Sequence, residues 1–364
     1  MMKVAVVLAA VTALFVSAVR AGEFSAERLE NWPQWRGPHA NGAAPNADPP
    51  IEWSERKNVR WKTEIPGKGS ATPIVWKDQV FVLTAIPTDR KSKKPAAADT
   101  NADTDAGREE RPRFGRRRRG FGGGETPTNY YQFAVVCLDR NSGEVLWQKV
   151  AAEEVPHEPG HETNSFASAS PTTDGKHLYV SFGSRGIYCY DLKGNLQWKR
   201  DLGDMRTRAG FGEGASPTLH GDTLVVPWDH EGQSFIAALD AKTGEPRWKV
   251  DRDEQTTWAT PLIVEHDGRT QVITNGANRV RSYDLETGKL LWECGGQAQN
   301  PIPSPLVQGD AAYVMTGFRG HAVYAIPLDA RGDITGSDQV IWHRDDVGPY
   351  IASPVLHDGL LYVT

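Results

Sequence analysis

The sequence predicts an all-β fold built from repeated four-stranded sheets, and two recurring patterns predict it. One is a short Ala/Ser/Thr-Pro step, which recurs at Pro73, Pro171, Pro217, Pro261, Pro305 and Pro354. The other is an Asp–Gly turn followed by a tryptophan in the second half of most repeats. The last four steps are 46, 44, 44 and 49 residues long, a period typical of one four-stranded propeller blade. We therefore expect a β-propeller with about six blades.

The third repeat shows how each element is assigned. Strands are predicted at 218–219, 223–227 and 234–239, and a last strand carries Trp248. Glycine in the final turn supplies a positive φ, and the turn's aspartate can accept hydrogen bonds from its own backbone. The following indole offers a wide ring to pack between sheets and an N–H that needs a partner. The structural docking residues predicted in this way are Trp61, Trp147, Trp198, Trp248, Trp292 and Trp342.

The stretch from Ala238 through Asp240, Thr243 and Gly244 to Trp248 resembles the tryptophan-docking repeat of the PQQ-like (pyrroloquinoline quinone repeat) β-propellers, of the exported bacterial type. Ser282 to Trp292 matches it with serine in place of alanine. The resemblance covers about residues 53–364 and implies four-stranded blades with Trp-docking repeats, with the propeller domain at 61–364. Propellers of this family usually have eight blades, so the chain is expected to form an incomplete eight-bladed ring with about six blades present.

Composition excludes several classes of protein. Hydrophobic residues make up 39% of the 364 residues, which excludes disorder throughout. The formal charge of −5 provides no basic field for nucleic acid. A mean hydropathy of −0.50 excludes a bundle of membrane helices.

The first 21 residues are predicted to be a secretory signal peptide. A basic start is followed by an apolar run and by small residues at Val19 and Ala21, which suit cleavage after Ala21. The alternative is a single anchoring helix, but the run is shorter than the ~20 residues that a span needs. The mature chain is thus expected to be exported, periplasmic or extracellular, and without a transmembrane span. Residues 22–60 form an N-terminal lead-in segment with two tryptophans and an arginine at 32–36.

Residues 87–129 are a charged insertion within the propeller. They carry eleven Lys or Arg against seven Asp or Glu, including four consecutive arginines at 116–119 and a Gly-rich stretch. Low apolar content predicts a disordered, solvated loop. An anionic glycan or a membrane surface is the alternative partner for this segment.

The three cysteines are too few for a disulfide framework. Cys137 and Cys189 occupy a repeat position that holds Ala238 and Ser282 in other repeats, which indicates a buried site for a small residue. A disulfide between neighbouring blades stays open.

Loop lengths predict where a ligand binds. The turns between first and second strands are short, whereas the loops between second and third strands and between blades are long and polar. Binding residues concentrate on loops that a rigid scaffold holds, so the ligand face is expected on the long-loop side of the central channel. The candidate residues there are Asn164, Phe166, Arg208, Glu213, Asp229, His230, Glu231, Trp258 and Tyr350.

Residues 157–161 spell H-E-x-x-H, the string of zinc proteases. That chemistry requires both imidazoles on one face of a helix. Pro159 and Gly160 lie inside the string and break a helix, so no metal site is expected.

Two functions follow from these residues and this resemblance. The first is a non-catalytic, exported propeller that acts as a binding or assembly scaffold in the cell envelope, with an envelope protein or glycan as partner and no cofactor. The alternative is a quinoprotein alcohol or sugar dehydrogenase, which would require PQQ and Ca²⁺ in the channel. The vicinal cysteine pair of related dehydrogenases is missing here. We expect the scaffold, with no catalytic residues.

Overall fold

A computed structural model describes residues 26–44, 46–92, 124 and 127–364. The predicted signal peptide lies outside the described residues, as does most of the charged insertion. Within the described part, no helix is long and apolar enough to cross a membrane.

Five sheets of the described part each hold four antiparallel strands, which confirms the predicted all-β propeller architecture. Blade 1 contains β1 (Ile74–Trp76), β2 (Gln79–Lys91), β3 (Asn129–Asp139) and β4 (Val145–Glu154). Blade 2 contains β5 (Thr172–Thr173), β6 (His177–Ser181), β7 (Ile187–Asp191) and β8 (Leu196–Arg200). Blade 3 contains β9 (Thr218–His220), β10 (Thr223–Trp228), β11 (Ser234–Asp240) and β12 (Pro246–Arg252).

The later blades depart from this pattern. Blade 4 contains β13 (Leu262–His266), β14 (Arg269–Thr274), β15 (Arg279–Asp284) and β16 (Leu290–Gly295), and a fifth strand, β20 (Gly332–Asp333), pairs with its outer edge in parallel. Blade 5 contains β17 (Leu306–Gln308), β18 (Ala311–Thr316), β19 (Ala322–Pro327) and β21 (Trp342–Arg344). The described part of blade 6 is β22 (Val355–His357) and β23 (Leu360–Tyr362).

The hydrophobic core consists of layers between consecutive blades. Phe133 of blade 1 packs edge to face against Phe182 of blade 2, with ring centroids 5.6 Å apart. Tyr179 of blade 2 and Leu224 of blade 3 lie in the next layer, and Ile273 and Val314 join blades 4 and 5. Such stacking buries the apolar face that a single blade cannot bury alone.

Four tryptophans join one blade, or the segment before it, to the third-to-fourth-strand turn of the next. The indole N–H groups of Trp61, Trp147, Trp198 and Trp248 donate to the main-chain oxygens of Arg140, Leu192, Ala241 and Leu285, over 2.8–3.2 Å. Each accepting residue directly follows the turn's aspartate. The chain thus repeats one hydrogen bond at each of these four contacts.

The turn after Asp240 shows why the motif needs its residues. The Asp240 Oδ1 atom accepts the backbone N–H groups of Lys242 and Thr243, which fixes the turn. Gly244 has φ of 72°, and a Cβ atom there would lie 2.6 Å from the Trp198 ring. A side chain at this position would therefore push the docked indole away.

The repeat position that holds small residues lies opposite the tryptophan of the same blade. Cys137, Cys189, Ala238 and Ser282 pair across strands with Trp147, Trp198, Trp248 and Trp292, respectively. A larger residue would compete with the indole for that space. All three cysteines are buried and free, and burial raises the pKa of the Cys137 thiol to about 12. The inter-blade disulfide is not formed.

Trp292 and Trp342 differ from the other four. The Trp292 ring is fully buried in the core between blades 4 and 5, and the indole N–H donates to the Gln271 Oε1 atom over 3.3 Å. The Gln271 amide in turn donates to the oxygen of Leu328, the residue that aligns with Ala241. Trp342 is 39% exposed and packs against Tyr313 of its own blade.

The charged insertion is shorter than the sequence predicted. Strand β2 continues through 87–91, and β3 begins at Asn129, so these flanks extend one long hairpin of blade 1. Pro87 pairs with Tyr131 and Lys91 pairs with Asn129, with an irregularity in the ladder between the two pairs. Residues 93–123, 125 and 126 lie outside the described part.

The lead-in crosses the inner edges of the blades. Trp32 exchanges backbone hydrogen bonds with Val75 of β1, and the Pro33 oxygen accepts the N–H of Thr173 in blade 2. The Trp35 indole donates to the Ser304 hydroxyl over 3.1 Å at the start of blade 5. The segment therefore contacts strands on both sides of the propeller axis.

Replacing Trp198 by phenylalanine is expected to lower the free energy of unfolding by about 1–3 kcal/mol, because the buried oxygen of Ala241 loses its donor. The matched control is Trp342→Phe, which removes a partly exposed indole that packs on Tyr313 of its own blade, and it should change stability by about 0.5 kcal/mol or less. Urea denaturation monitored by circular dichroism measures both. Equal losses in the two variants would contradict the docking role.

Candidate ligand-binding channel

A cavity of about 790 Å³ lies at the propeller axis. Most residues that line it lie just before the first strand of a blade, where the sequence predicted the channel. Trp35 and Arg36 of the lead-in also line it. The volume falls in the range of small-molecule sites.

A ring of hydroxyl groups lines this cavity, and it explains the recurring Ser/Thr-Pro step. The backbone N–H of one blade's step donates to the Ser or Thr hydroxyl of the next over 2.9–3.1 Å. The pairs are Thr72 to Ser170, Ser170 to Ser216, Ser216 to Thr260, and Ser304 to Ser353. The step therefore links neighbouring blades at the axis, as tryptophan links them at the periphery.

Aromatic rings surround the mouth of the cavity on the long-loop side. Phe318 and Tyr350 stack with ring centroids 4.9 Å apart, and Phe211 lies 6.4 Å from Trp258. The Trp258 indole is held by a 2.7 Å hydrogen bond to the Gly212 oxygen. All four rings line the cavity.

Among the predicted ligand-face residues, Asn164, Trp258 and Tyr350 line the channel. The Asn164 amide donates to the backbone oxygens of Phe211 and Glu213, so it holds the neighbouring loop. Sequence reasoning missed Phe211 and Phe318. The available signal was an aromatic residue beside glycine in a long loop, because Phe211 stands between two glycines.

Phe166, Glu213 and Asp229 instead line a smaller cavity of about 50 Å³ beneath the loops. Asp229 forms a buried two-pronged ion pair with Arg252, at 2.8 and 3.0 Å. The Thr257 hydroxyl also donates to it. Its carboxylate is therefore occupied within the protein.

Arg208, His230 and Glu231 likewise make contacts within the loops. The Arg208 guanidinium donates to the side-chain oxygens of Gln255 and Gln299. His230 accepts the Arg206 N–H over 3.0 Å, and burial lowers the pKa of its ring. The Glu231 carboxylate accepts two hydrogen bonds from Thr256.

Donor atoms of His157, Glu158 and Glu213 lie within 4.8 Å of one another. The Glu158 carboxylate accepts the N–H and hydroxyl of Thr207, and Glu213 accepts both from Ser184. The two His157 nitrogens contact the Arg185 guanidinium and the Met205 oxygen, over 3.1 and 2.6 Å. Through these hydrogen bonds, the group holds together the loops at 157–158, 184–185 and 205–213.

His161, the second histidine of the H-E-x-x-H string, lies outside this group. Its ring hydrogen-bonds the Thr163 hydroxyl over 2.8 Å and packs edge to face on Phe211. The string thus forms no helical pair of imidazoles, in keeping with the proline and glycine inside it.

Burial raises the pKa of Glu213 from 4.5 to about 7. The folded state therefore favours the protonated carboxyl, and the stability from this preference is complete at low pH and lost as pH rises through about 7. We expect Glu213→Gln, which mimics the protonated form, to gain on the order of 1–2 kcal/mol relative to the unsubstituted protein between pH 5.5 and pH 8.5.

Urea denaturation at both pH values measures this difference. Glu286→Gln, a change at an exposed turn, is the control and should show the same pH dependence as the unsubstituted protein. A constant difference between Glu213→Gln and the unsubstituted protein would contradict the prediction.

Comparison with known proteins places the chain among PQQ-repeat propellers. It is 29% identical to the quinohemoprotein alcohol dehydrogenase ADH-IIG of Pseudomonas putida over 142 residues, 34% of this chain and 19% of that protein. It is 22% identical to the tetrathionate hydrolase of Acidithiobacillus ferrooxidans over 277 residues, 63% of this chain and 53% of that protein. The chain thus spans about a fifth and about half of the lengths of these curated relatives.

Among solved structures, BamB from Moraxella catarrhalis matches with a TM-score of 0.46 and 17% identity, covering 64% of this chain and 66% of that one. The profile of the family described as outer membrane protein assembly factor BamB matches residues 132–364, more than half of the chain. The chain therefore belongs to this family of PQQ-repeat β-propellers.

Proposed function

We propose that this chain is an exported, non-catalytic propeller that binds a partner in the cell envelope through the long-loop mouth of its channel. The observation that carries the proposal is the ring of Phe211, Trp258, Phe318 and Tyr350 around a cavity of about 790 Å³. Partly exposed aromatic side chains on rigid loops are the typical anchors of protein interfaces.

Family membership supports an envelope partner, because the family is described as an outer membrane assembly factor. The partner is an envelope protein or glycan. Export follows from the predicted cleavage after Ala21, which leaves the propeller in the periplasm or outside the cell.

The quinoprotein alternative requires PQQ and a Ca²⁺ ion. Calcium takes oxygen ligands, with carboxylates prominent among them. The described residues that line the channel include Arg36 and no aspartate or glutamate. Glu213 and Asp229, the nearest predicted candidates, are hydrogen-bonded within the loops. This donor set does not fit a calcium-bound quinone, so we propose that the chain works without that cofactor.

Capture from a solubilised envelope extract tests the binding mouth. A partner retained by the unsubstituted protein should be lost, at least tenfold, with Tyr350→Ala and Trp258→Ala. Trp53→Ala, which removes a tryptophan that is 79% exposed and outside the channel lining, is the control and should retain it. Equal capture by all variants would contradict a binding role for the mouth.

The same protein preparation tests catalysis. After addition of PQQ and Ca²⁺, we expect neither a quinone absorbance on the protein nor reduction of an electron-accepting dye with alcohols or sugars. Turnover above a heat-denatured control would overturn the non-catalytic proposal in favour of a dehydrogenase.

A further inference from the structure

The channel wall offers hydrogen-bond donors without matching acceptors. Five of the Ser and Thr hydroxyls that line it each accept an N–H group from the neighbouring backbone or from Trp35. Within the described residues, none of the five donates its own proton to another protein group. These residues are Ser170, Ser216, Thr260, Ser304 and Ser353.

Arg36 adds a positive charge at the lead-in side of this cavity. It is 6% exposed and lines the cavity. Its Nη2 atom donates to the backbone oxygens of Asn41 and Pro354, whereas its buried Nη1 atom has no acceptor. Burial lowers the pKa of Arg36 to about 10, so the guanidinium stays charged at neutral pH.

Within the described part of the chain, no carboxylate compensates this charge. Arg36 forms no ion pair there with an aspartate or glutamate, and neither residue type lines the cavity. A buried charge without a counter-charge costs several kcal/mol. An anion in the channel would recover part of that cost, because electrostatic attraction is strong where water is excluded.

We propose that the channel binds a small sugar acid or sugar phosphate, with its oxyanion over Arg36 and its other oxygen atoms accepting from the hydroxyl ring. The aromatic rings at the mouth would pack against the apolar face of the sugar ring. This inference deepens the proposed binding function and rests on it for the choice of channel. Carboxylate and phosphate share the chemistry that Arg36 recognises.

Isothermal titration of the full chain with D-glucuronate, D-glucose 6-phosphate and neutral D-glucose tests the proposal. We expect at least one of the two anionic sugars to bind at least tenfold more tightly than glucose. Which anion binds identifies the source of the oxyanion. Affinity for it should fall as ionic strength rises.

Two variants connect this preference to the channel. Arg36→Gln should abolish the discrimination between anionic and neutral sugar, whereas Arg269→Gln, at the exposed start of β14, should retain it. If Arg36→Gln fails to fold, Ser353→Asp places a carboxylate beside Pro354 and should weaken anion binding at least tenfold.

Binding of glucose as tightly as both anions, no binding of any probe, or unchanged anion affinity in the folded Arg36→Gln protein would overturn the inference. In the last two cases, envelope capture that still depends on Tyr350 would leave the proposed function standing. Sugar binding without such capture would support the sugar site and contradict the proposed envelope-binding function. The failure of one proposal can therefore be told from the failure of the other.

Discussion

The fold depends on one contact, the indole of one blade against the Asp–Gly turn of the next. The turn's aspartate folds the backbone so that the following carbonyl points outward, and the glycine leaves room for the ring. For Trp198, this places the N–H 2.9 Å from the Ala241 oxygen. Blades bury their apolar faces only when stacked, so this contact sets the spacing at which each layer of core closes.

In blade 5 the Asp–Gly turn is missing, yet the indole of blade 4 is still linked to the carbonyl at the corresponding position. Pro327 stands where the turn's aspartate would be, and the turn is expanded over residues 329–338. The carbonyl of Leu328 still accepts a hydrogen bond, from the side chain of Gln271, and the expansion adds β20 beside β16, the strand that carries Trp292. The hydrogen-bonding requirement of a buried indole is thus met by a side-chain bridge.

Local pattern predicted the parts of the fold that local geometry controls. Turn residues and strand periodicity are encoded within about ten residues, and both recur with each repeat, so the sheets and the docking of Trp198 and Trp248 could be inferred. The bridge through Gln271 could not, because it joins a strand residue to an expanded turn 57 positions away. In the same way, Asp229 looked like a ligand group in the sequence, but it pairs with Arg252 at the end of β12, 23 positions away.

The lead-in segment contacts the propeller around its central axis. A propeller axis is open at both ends until something crosses it, and residues 32–36 contact blades 1, 2 and 5 near the inner strands. The hydroxyls that line this cavity also accept the backbone bonds between blades. One set of side chains thus joins the blades and supplies hydrogen-bond donors to the axis. Removing a hydroxyl would therefore weaken both the contact between blades and the binding of a ligand. Serine and threonine can replace each other at these positions, as Ser216 and Thr260 do in consecutive blades.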